Sequence, residues 1–114
     1  MSTPLRITAA VCTHNRPGQL ARALESLVAQ SPPPAEVMVI DNAPGNHAAA
    51  LLIAERFPGV RYLREPVPGL DFARNRALHA AMGDIVAFLD DDAVAGPGWC
   101  EALRLVFEAE PSRL

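Results

Sequence analysis

The most apolar of the strands that the sequence predicts is residues 84–89, DIVAFL, and three consecutive aspartates follow it: Asp90, Asp91 and Asp92. A short run that is apolar at successive positions, bounded by polar residues, indicates a strand buried on both faces. Strands of this kind belong to parallel sheets that helices cover on both sides. The segment therefore predicts an α/β domain in which carboxylates lie at the end of a buried strand.

The chain before this segment alternates short apolar runs with longer stretches of helical periodicity. Three further strands are predicted at residues 5–13 (LRITAAVCT), 36–41 (EVMVID) and 60–64. Helices are predicted at residues 17–30, 47–57 and 70–82, and a last one follows Gly96-Pro97-Gly98 and carries Trp99, Leu103, Val106 and Phe107. Helical spacing gives the first helix an apolar face of Leu20, Leu24, Leu27 and Val28, and the third a face of Leu70, Ala73, Ala77 and Ala81. The order βαβαβαβα predicts a parallel sheet of about four strands with helices on both faces.

Length and composition restrict the class of protein further. A chain of 114 residues that is 50% hydrophobic fits one compact domain and needs no disulfide or structural metal. No apolar run approaches the roughly 18 residues of a membrane span. Residues 1–6 lack the basic and apolar regions of a signal peptide. We therefore expect a cytoplasmic α/β domain with no membrane span.

Charged residues and cysteines exclude several functions. All ten basic residues are arginines and the net charge is −3, which excludes chemistry that requires a lysine and argues against a nucleic-acid face. Cys12 and Cys100 have neither zinc-site nor redox spacing and are predicted to be small buried apolar residues. The three histidines have no metal spacing and are predicted to be structural or exposed: His14, His47 and His79. Trp99 is predicted to lie in the core.

Polar residues cluster where the predicted strands end. Thr13-His14-Asn15-Arg16 follow the first strand, Asp41-Asn42 the second and Asp90-Asp91-Asp92 the fourth. Ligands of open parallel sheets bind at the carboxyl ends of the strands, close to the switch in strand order. The sequence thus predicts a ligand site formed by these three segments.

The three aspartates are hard to explain by structure alone. Extended geometry directs Asp90 and Asp92 to one side and Asp91 to the other. Like charges so close repel one another unless a cation lies between them. A hard divalent cation, Mg²⁺ or Mn²⁺, is the natural partner of carboxylate oxygens and phosphates. The alternative is a solvated acidic loop that caps the next helix.

Two further residues are candidate ligand contacts. Asp41 at the end of the second strand could accept hydrogen bonds from a ribose or a base N–H, or could simply begin a turn. Arg74 lies in the first turns of the third predicted helix, and a helix N-terminus with an arginine is a candidate anion site. The alternative there is a surface helix with an ion pair between Asp71 and Arg74.

Four stretches together resemble the nucleotide-sugar-binding half of the family-2 glycosyltransferases, which have the Rossmann-like GT-A fold. They are Thr13-His14-Asn15-Arg16, Val39-Ile40-Asp41-Asn42, Gly69 to Asn75, and Gly83 to Asp92. Each stretch is loose by itself, but the order and spacing of the four are specific and extend over nearly the whole chain.

This resemblance implies a role for each matching residue. Substrate-binding roles are implied for Thr13, Asn15, Arg16, Asp41, Arg74 and Asp91. Asp90 and Asp92 would form the D-x-D pair that holds Mn²⁺ or Mg²⁺, with Asp92 as the direct ligand and Asp90 on the ribose or a metal-bound water. The family transfers a sugar from a nucleotide-diphosphate sugar to an acceptor, usually with inversion, and the metal stabilises the departing diphosphate.

The end of the chain departs from the family pattern. The family's general base and acceptor site lie well beyond D-x-D, and nothing after Asp92 matches them. Glu101, Glu108 and Glu110 are predicted to be exposed. We therefore expect residues 1–114 to be the donor domain of a longer enzyme, with no catalytic residue in this chain. The alternative is a non-catalytic nucleotide-sugar-binding module or pseudo-enzyme. Base, sugar and acceptor stay open.

Three other families share parts of the pattern. A haloacid-dehalogenase-like phosphatase would use Asp90, Asp92 and Val94 as its nucleophile motif, but it places that motif on its first core strand and requires a lysine. A receiver-type signalling domain also requires a lysine. A dinucleotide-binding domain requires G-x-G-x-x-G after the first strand, where Gly18 is the only glycine nearby.

Overall fold

The computed structural model describes residues 4–43 and 45–109, over which strands and helices alternate. The strands are β1 (Ile7–Thr13), β2 (Glu36–Asp41), β3 (Arg61–Arg64) and β4 (Ile85–Phe88). The helices are α1 (Pro17–Val28), α2 (Ala48–Arg56), α3 (Leu70–Ala80) and α4 (Trp99–Ala109). The predicted α/β class and the order βαβαβαβα are confirmed.

The four strands form one parallel sheet in the order β3-β2-β1-β4. The chain adds β2 and β3 on one side of β1 and then crosses to the other side for β4. In β1, Thr13 pairs with Asp41 of β2, and Ala10 pairs with Phe88 of β4. The switch in strand order therefore lies beside β1, which is where ligands of open parallel sheets bind.

Helices cover both faces of the sheet because side chains of successive strand residues point to opposite faces. Val11 and Val39 pack with α1 and α2 on one face. Ala10, Met38 and Ile40 pack with Ala73 and Ala77 of α3 on the other. A smaller cluster joins Ile7, Ile85 and Cys100, and partly buried Trp99 contacts it as well as the α1 face. Helices thus pack against both faces of the sheet and leave the edge at the carboxyl ends of its strands open to solvent.

Two helix positions differ from the predicted apolar faces. Val28 is exposed, because it is the last residue of α1 and lies about 80° around the helix from Leu20. Leu70 is exposed as well, because it is the first residue of α3 and borders an open cavity. Both residues lie at helix ends, where the helix extends beyond the sheet and an apolar side chain has no strand to pack against.

The entry to β4 is fixed by a close backbone approach. A Cβ atom on Gly83 would lie 2.7 Å from the backbone nitrogen of Thr8 and 2.9 Å from the carbonyl oxygen of Arg6. The Gly83 N–H donates to Oγ1 of Thr8 at 2.9 Å. This position therefore requires glycine. No helix within residues 4–43 and 45–109 has the length and apolar character needed to cross a membrane.

Candidate functional site

A cavity of about 440 Å³ lies at the carboxyl edge of the sheet, open to solvent. Four segments form its walls: the end of β1 with the following turn, the first residue after β2, the start of α3, and the acidic loop after β4. Five of the predicted site residues line this cavity: Thr13, Arg16, Asp90, Asp91 and Asp92. Asn15, Asp41 and Arg74 are not among its lining residues.

The acidic loop separates its three carboxylates. Asp90 and Asp92 are exposed, whereas Asp91 is buried. Oγ1 of Thr13 donates a 2.9 Å hydrogen bond to Oδ2 of Asp91, and Nη1 of Arg16 lies 3.5 Å from Oδ1. Asp91 is thus committed to the end of β1, and among the described residues no hydrogen bond or ion pair engages the two flanking carboxylates at the cavity.

These two free carboxylates fit a divalent cation that also binds a ligand. Within the described ranges, no three His, Cys, Asp or Glu side chains lie together as a ready metal site. Mg²⁺ and related ions are commonly held by one or two carboxylates, with waters and substrate phosphates as the other ligands. Asp90 and Asp92 supply that donor set, so the residues present fit Mn²⁺ or Mg²⁺ bound together with a phosphate ligand.

The turn after β1 places Arg16 at the cavity and directs Asn15 away from it. Asn15 has a left-handed backbone (φ 54°), a conformation that asparagine tolerates better than most residues. Its Oδ1 accepts a 2.8 Å hydrogen bond from Nδ2 of Asn46 in the loop after β2. Arg16 then precedes α1, and its carbonyl oxygen accepts the N–H of Leu20. Asn15 therefore shapes the turn, and Arg16 provides the positive charge at the cavity.

Asp41 is directed away from the cavity. The residue is 1% exposed, and its carboxylate accepts hydrogen bonds from the Tyr62 hydroxyl at 2.5 Å and from the Ala43 N–H at 3.0 Å. Burial, together with the hydrogen bond to Asp41, raises the pKa of Tyr62 to about 12. In this conformation, Asp41 braces β2 against β3 and offers no atom to a ligand.

Arg74 lies on the exposed side of α3 with its guanidinium 5.8 Å from the centre of the Phe88 ring. It makes no ion pair with Asp71 in the described part of the chain. Its charge acts on Cys12, which is half-buried at the cavity instead of fully buried as predicted. Burial raises the pKa of the Cys12 thiol to about 11, and the Arg74 charge opposes this rise. Arg74 is therefore within electrostatic reach of the cavity without lining it.

Asn42 lines the cavity, and the sequence predicts it only as part of the polar segment after the second strand, without a role of its own. It is buried, and its carboxamide bonds to three backbone groups of the loop between β3 and α3. Its carbonyl oxygen also accepts a 2.8 Å hydrogen bond from Nδ1 of His14. Two signals in the sequence include it: its place directly after a buried strand, which is equally typical of an ordinary turn, and its presence in one of the four stretches that carry the family resemblance.

The glutamates of α4 are not free carboxylates. Glu101 and Glu108 are partly buried and both pair with Arg104, and Glu108 also accepts the N–H of Leu5 at 3.0 Å. The hydrogen bond from Arg104 lowers the pKa of Glu101. The prediction that these two glutamates are exposed is wrong, because Arg104 lies one turn from each of them. Glu110 lies outside the described residues.

The sequence model of glycosyl transferase family 2 matches residues 8–113. This chain belongs to glycosyl transferase family 2. It is 36% identical over 105 residues to a succinoglycan biosynthesis protein of Rhizobium meliloti, covering 87% of this chain and 34% of that protein. It is 27% identical over 113 residues to the glucosyl-dolichyl phosphate glucuronosyltransferase of Haloferax volcanii, covering 94% of this chain and 36% of that protein.

The same fold is present in the solved structure of another glycosyltransferase. The mannosyltransferase of Pyrobaculum calidifontis, in complex with GDP-Man and Mn²⁺, is 28% identical with a TM-score of 0.73. The alignment covers 92% of this chain and 32% of that one. The predicted family and GT-A architecture are confirmed. The chain spans about a third of the length of the relatives it matches.

Proposed function

We propose that this chain is the donor domain of a glycosyltransferase and binds a nucleotide-diphosphate sugar together with Mn²⁺ or Mg²⁺ at the carboxyl-edge cavity. The observation that carries the proposal is the meeting of Asp90, Asp92 and Arg16 at one open cavity in a family-2 chain. The complex of the similar mannosyltransferase with GDP-Man and Mn²⁺ supports the same ligand class.

Side chains of opposite charge at the cavity would bind different parts of the ligand. Asp90 and Asp92 would hold the cation, which when bound neutralises the diphosphate and acts as a Lewis acid toward it. Arg16, oriented by Asp91, supplies a fixed positive charge at the same wall. The start of α3 adds N–H groups without helical partners and the positive end of the helix dipole, both of which favour phosphate.

Several substrate-binding residues named above enter the proposal with different roles. Thr13 and Asp91 act together as the support of the acidic loop, and Asn15 acts through the turn that presents Arg16. Arg74 acts as a nearby charge on a diphosphate ligand. Asp41 would recognise a base or ribose only if Tyr62 moved away from its carboxylate.

We further propose that residues 1–114 form the donor domain of a longer cytoplasmic protein, which also contains the acceptor site and the catalytic base. The share of the relatives that the chain spans, about a third, supports this division. Transfer with inversion would then belong to that complete protein.

A second candidate is a non-catalytic module that binds nucleotide sugar. It is favoured by one observation: in residues 4–43 and 45–109, the carboxylates that line the cavity are those of Asp90, Asp91 and Asp92. In this proposal all three already have a role, in binding the cation or in supporting the loop, so none of them serves as the catalytic base. Donor-sugar release by the complete protein in the presence of candidate acceptors separates the enzyme from the module.

Thermal melts with a panel of nucleoside diphosphates, each with and without Mn²⁺, test the donor site. Ligand at about 100 times its Kd stabilises a protein by about 2.7 kcal/mol, which shifts the melting temperature of a domain this size by roughly 10 °C or more. We expect a metal-dependent shift with at least one nucleotide.

Two isosteric variants sharpen this test. Asp92→Asn should lose the metal-dependent shift, whereas Glu55→Gln, which removes an exposed carboxylate on α2, should keep it. A cooperative melt that no nucleotide shifts, with or without metal, would overturn the proposed function.

A further inference from the structure

The side chain of Asn42 holds the loop between β3 and α3. Its Nδ2 donates to the carbonyl oxygens of Glu65 at 2.9 Å and Val67 at 2.8 Å. Its Oδ1 accepts the N–H of Gly69 at 3.0 Å. Both amide hydrogens and the amide oxygen are therefore committed to the backbone of residues 65–69, and the residue is 6% exposed.

The backbone of Asn42 fixes the same residue to the central strand. Its N–H donates to the carbonyl oxygen of Thr13 at 2.9 Å, and its carbonyl oxygen accepts Nδ1 of His14 at 2.8 Å. One buried residue thus connects the end of β1 with the loop before α3. Both connected segments line the cavity.

Few other hydrogen bonds hold this loop: the N–H of Val67 donates to Oε2 of Glu65 at 3.0 Å, and the N–H of Glu65 donates to the carbonyl oxygen of Asp41 at 2.9 Å. Residues 66 and 68 are prolines and have no N–H to donate. Gly69 adopts a φ of 132°, a conformation that favours glycine, and a glycine backbone has more alternative conformations than that of any other residue. Pro68, Gly69 and Leu70 form a wall of the cavity, and the bond to the N–H of Gly69 in that wall comes from Asn42.

We propose that Asn42 is a positioning residue for the donor site: it fixes residues 65–69 and the first turn of α3 as a preformed wall for the diphosphate-bearing ligand. This inference rests on the proposed function. Asn42 acts through the loop and not by touching the ligand, because its polar side-chain atoms are already paired. Residues that support a binding shell in this way typically change affinity by 10–100-fold when they are replaced.

The test compares Asn42→Ala with Ile53→Ala in the same protein. Ile53 is buried on α2 at the opposite face of the sheet, so its truncation lowers global stability without touching the loop. Two readouts are needed: amide hydrogen exchange at Gly69 without ligand, and the Kd for a nucleoside diphosphate with Mn²⁺. Temperature is chosen so that both variants are folded in cooperative melts.

In Asn42→Ala, we expect Gly69 exchange to accelerate at least tenfold and the Kd to rise about tenfold or more. In Ile53→Ala, the Kd should stay within twofold of the wild-type value. Asn42→Asp keeps the acceptor for Gly69 but places a carboxylate against the carbonyl oxygens of Glu65 and Val67. It should therefore retain slow Gly69 exchange and still bind the nucleotide more weakly.

Three results would overturn this inference. The first is faster Gly69 exchange in Asn42→Ala with an unchanged Kd, which would remove the loop from the binding site. The second is unchanged Gly69 exchange, which would show that the side chain holds nothing. The third is equal loss of affinity in Ile53→Ala, which would reduce the effect to stability. If the wild-type protein binds no nucleotide, the proposed function fails first, and this role fails with it.

Discussion

The hydroxyl group of Tyr62 donates a 2.5 Å hydrogen bond to Oδ2 of Asp41, and this bond closes the carboxylate off from the cavity. The contact joins two adjacent parallel strands through residues 21 positions apart. The second oxygen of Asp41 accepts the N–H of Ala43. A carboxylate with both oxygens engaged in this way is well satisfied without a ligand.

Tyr62 should ionise at unusually high pH. Burial first, and the hydrogen bond to Asp41 second, raise its pKa from the ordinary 10 to about 12. The folded state thus favours the protonated hydroxyl, so the stability from this group is present below pH 10 and is lost as the pH rises toward 12. Because Tyr62 is the only tyrosine, its ultraviolet absorbance reports the titration directly.

Asp41→Asn is the control for that titration. It removes the negative charge beside the hydroxyl, so the absorbance midpoint should fall toward 10. A wild-type midpoint near 10 in the folded protein would contradict the structure, and so would a midpoint unaffected by Asp41→Asn.

The bond between Thr13 and Asp91 should contribute measurably to stability. Asp91→Ala leaves the Thr13 hydroxyl without its acceptor and Arg16 without its ion pair, so we expect a loss of about 1–3 kcal/mol in the free energy of unfolding. Thr13→Val removes the donor while keeping the shape. In a double-mutant cycle measured by urea unfolding, the two changes should couple by about 1 kcal/mol. Strict additivity of the two losses would refute the contact.

Asp91 and Asp92 should respond differently to the same isosteric change. Asp92→Asn removes an exposed like charge from the acidic loop, so the unfolding free energy without ligand should stay the same or rise by a few tenths of a kcal/mol. Asp91→Asn removes the charge that faces Arg16 and should lower it. Chemical unfolding of both variants in metal-free buffer measures the difference. A clear loss of stability in Asp92→Asn would show that this carboxylate has a structural partner.

Gly83→Ala should destabilise the fold, because the new Cβ would lie 2.7 Å from the backbone of Thr8. Backbone atoms cannot move aside cheaply, and overpacking of this kind costs about 1–3 kcal/mol. Gly18→Ala is the matched control: it lies in α1 with nothing within 4 Å of the new Cβ. That control should be neutral or slightly stabilising in thermal melts, since alanine is the better helix former. Equal behaviour of the two variants would contradict the close approach at Gly83.

The order and type of the elements could be predicted from the sequence because local periodicity encodes them. Strand order could not, because it depends on pairings between distant segments. Residues 84–89 are the most apolar predicted strand, yet in the described part of the chain β4 is an edge strand of four residues with one buried position. The hydropathy of a segment indicates that it is buried from water, but it does not indicate whether one or two neighbouring strands pair with it.

The candidate site could be predicted in part for a related physical reason. Repulsion among consecutive aspartates is a local property, so the acidic loop is conspicuous in the sequence. The withdrawal of Asp41 depends on Tyr62, and the role of Asn42 depends on the backbone carbonyls of residues 65 and 67. Backbone acceptors leave no mark on residue type, so nothing in the sequence distinguishes a clamping asparagine from one that merely begins a turn.

The position of β4 at the edge of the sheet has a kinetic consequence. Within residues 4–43 and 45–109 this strand pairs with β1 alone, over four residues, and it joins segments 78 positions apart, whereas β1 and β2 pair along six. Closing that long loop is slow relative to forming the nearer pairings. We therefore expect the cavity to be completed late in folding. Local opening at the same edge would move the acidic loop away from the cavity while β1, β2 and β3 remain paired. A bound ligand opposes this opening, so it should slow hydrogen exchange more at the amides of β4 than at those of the other strands.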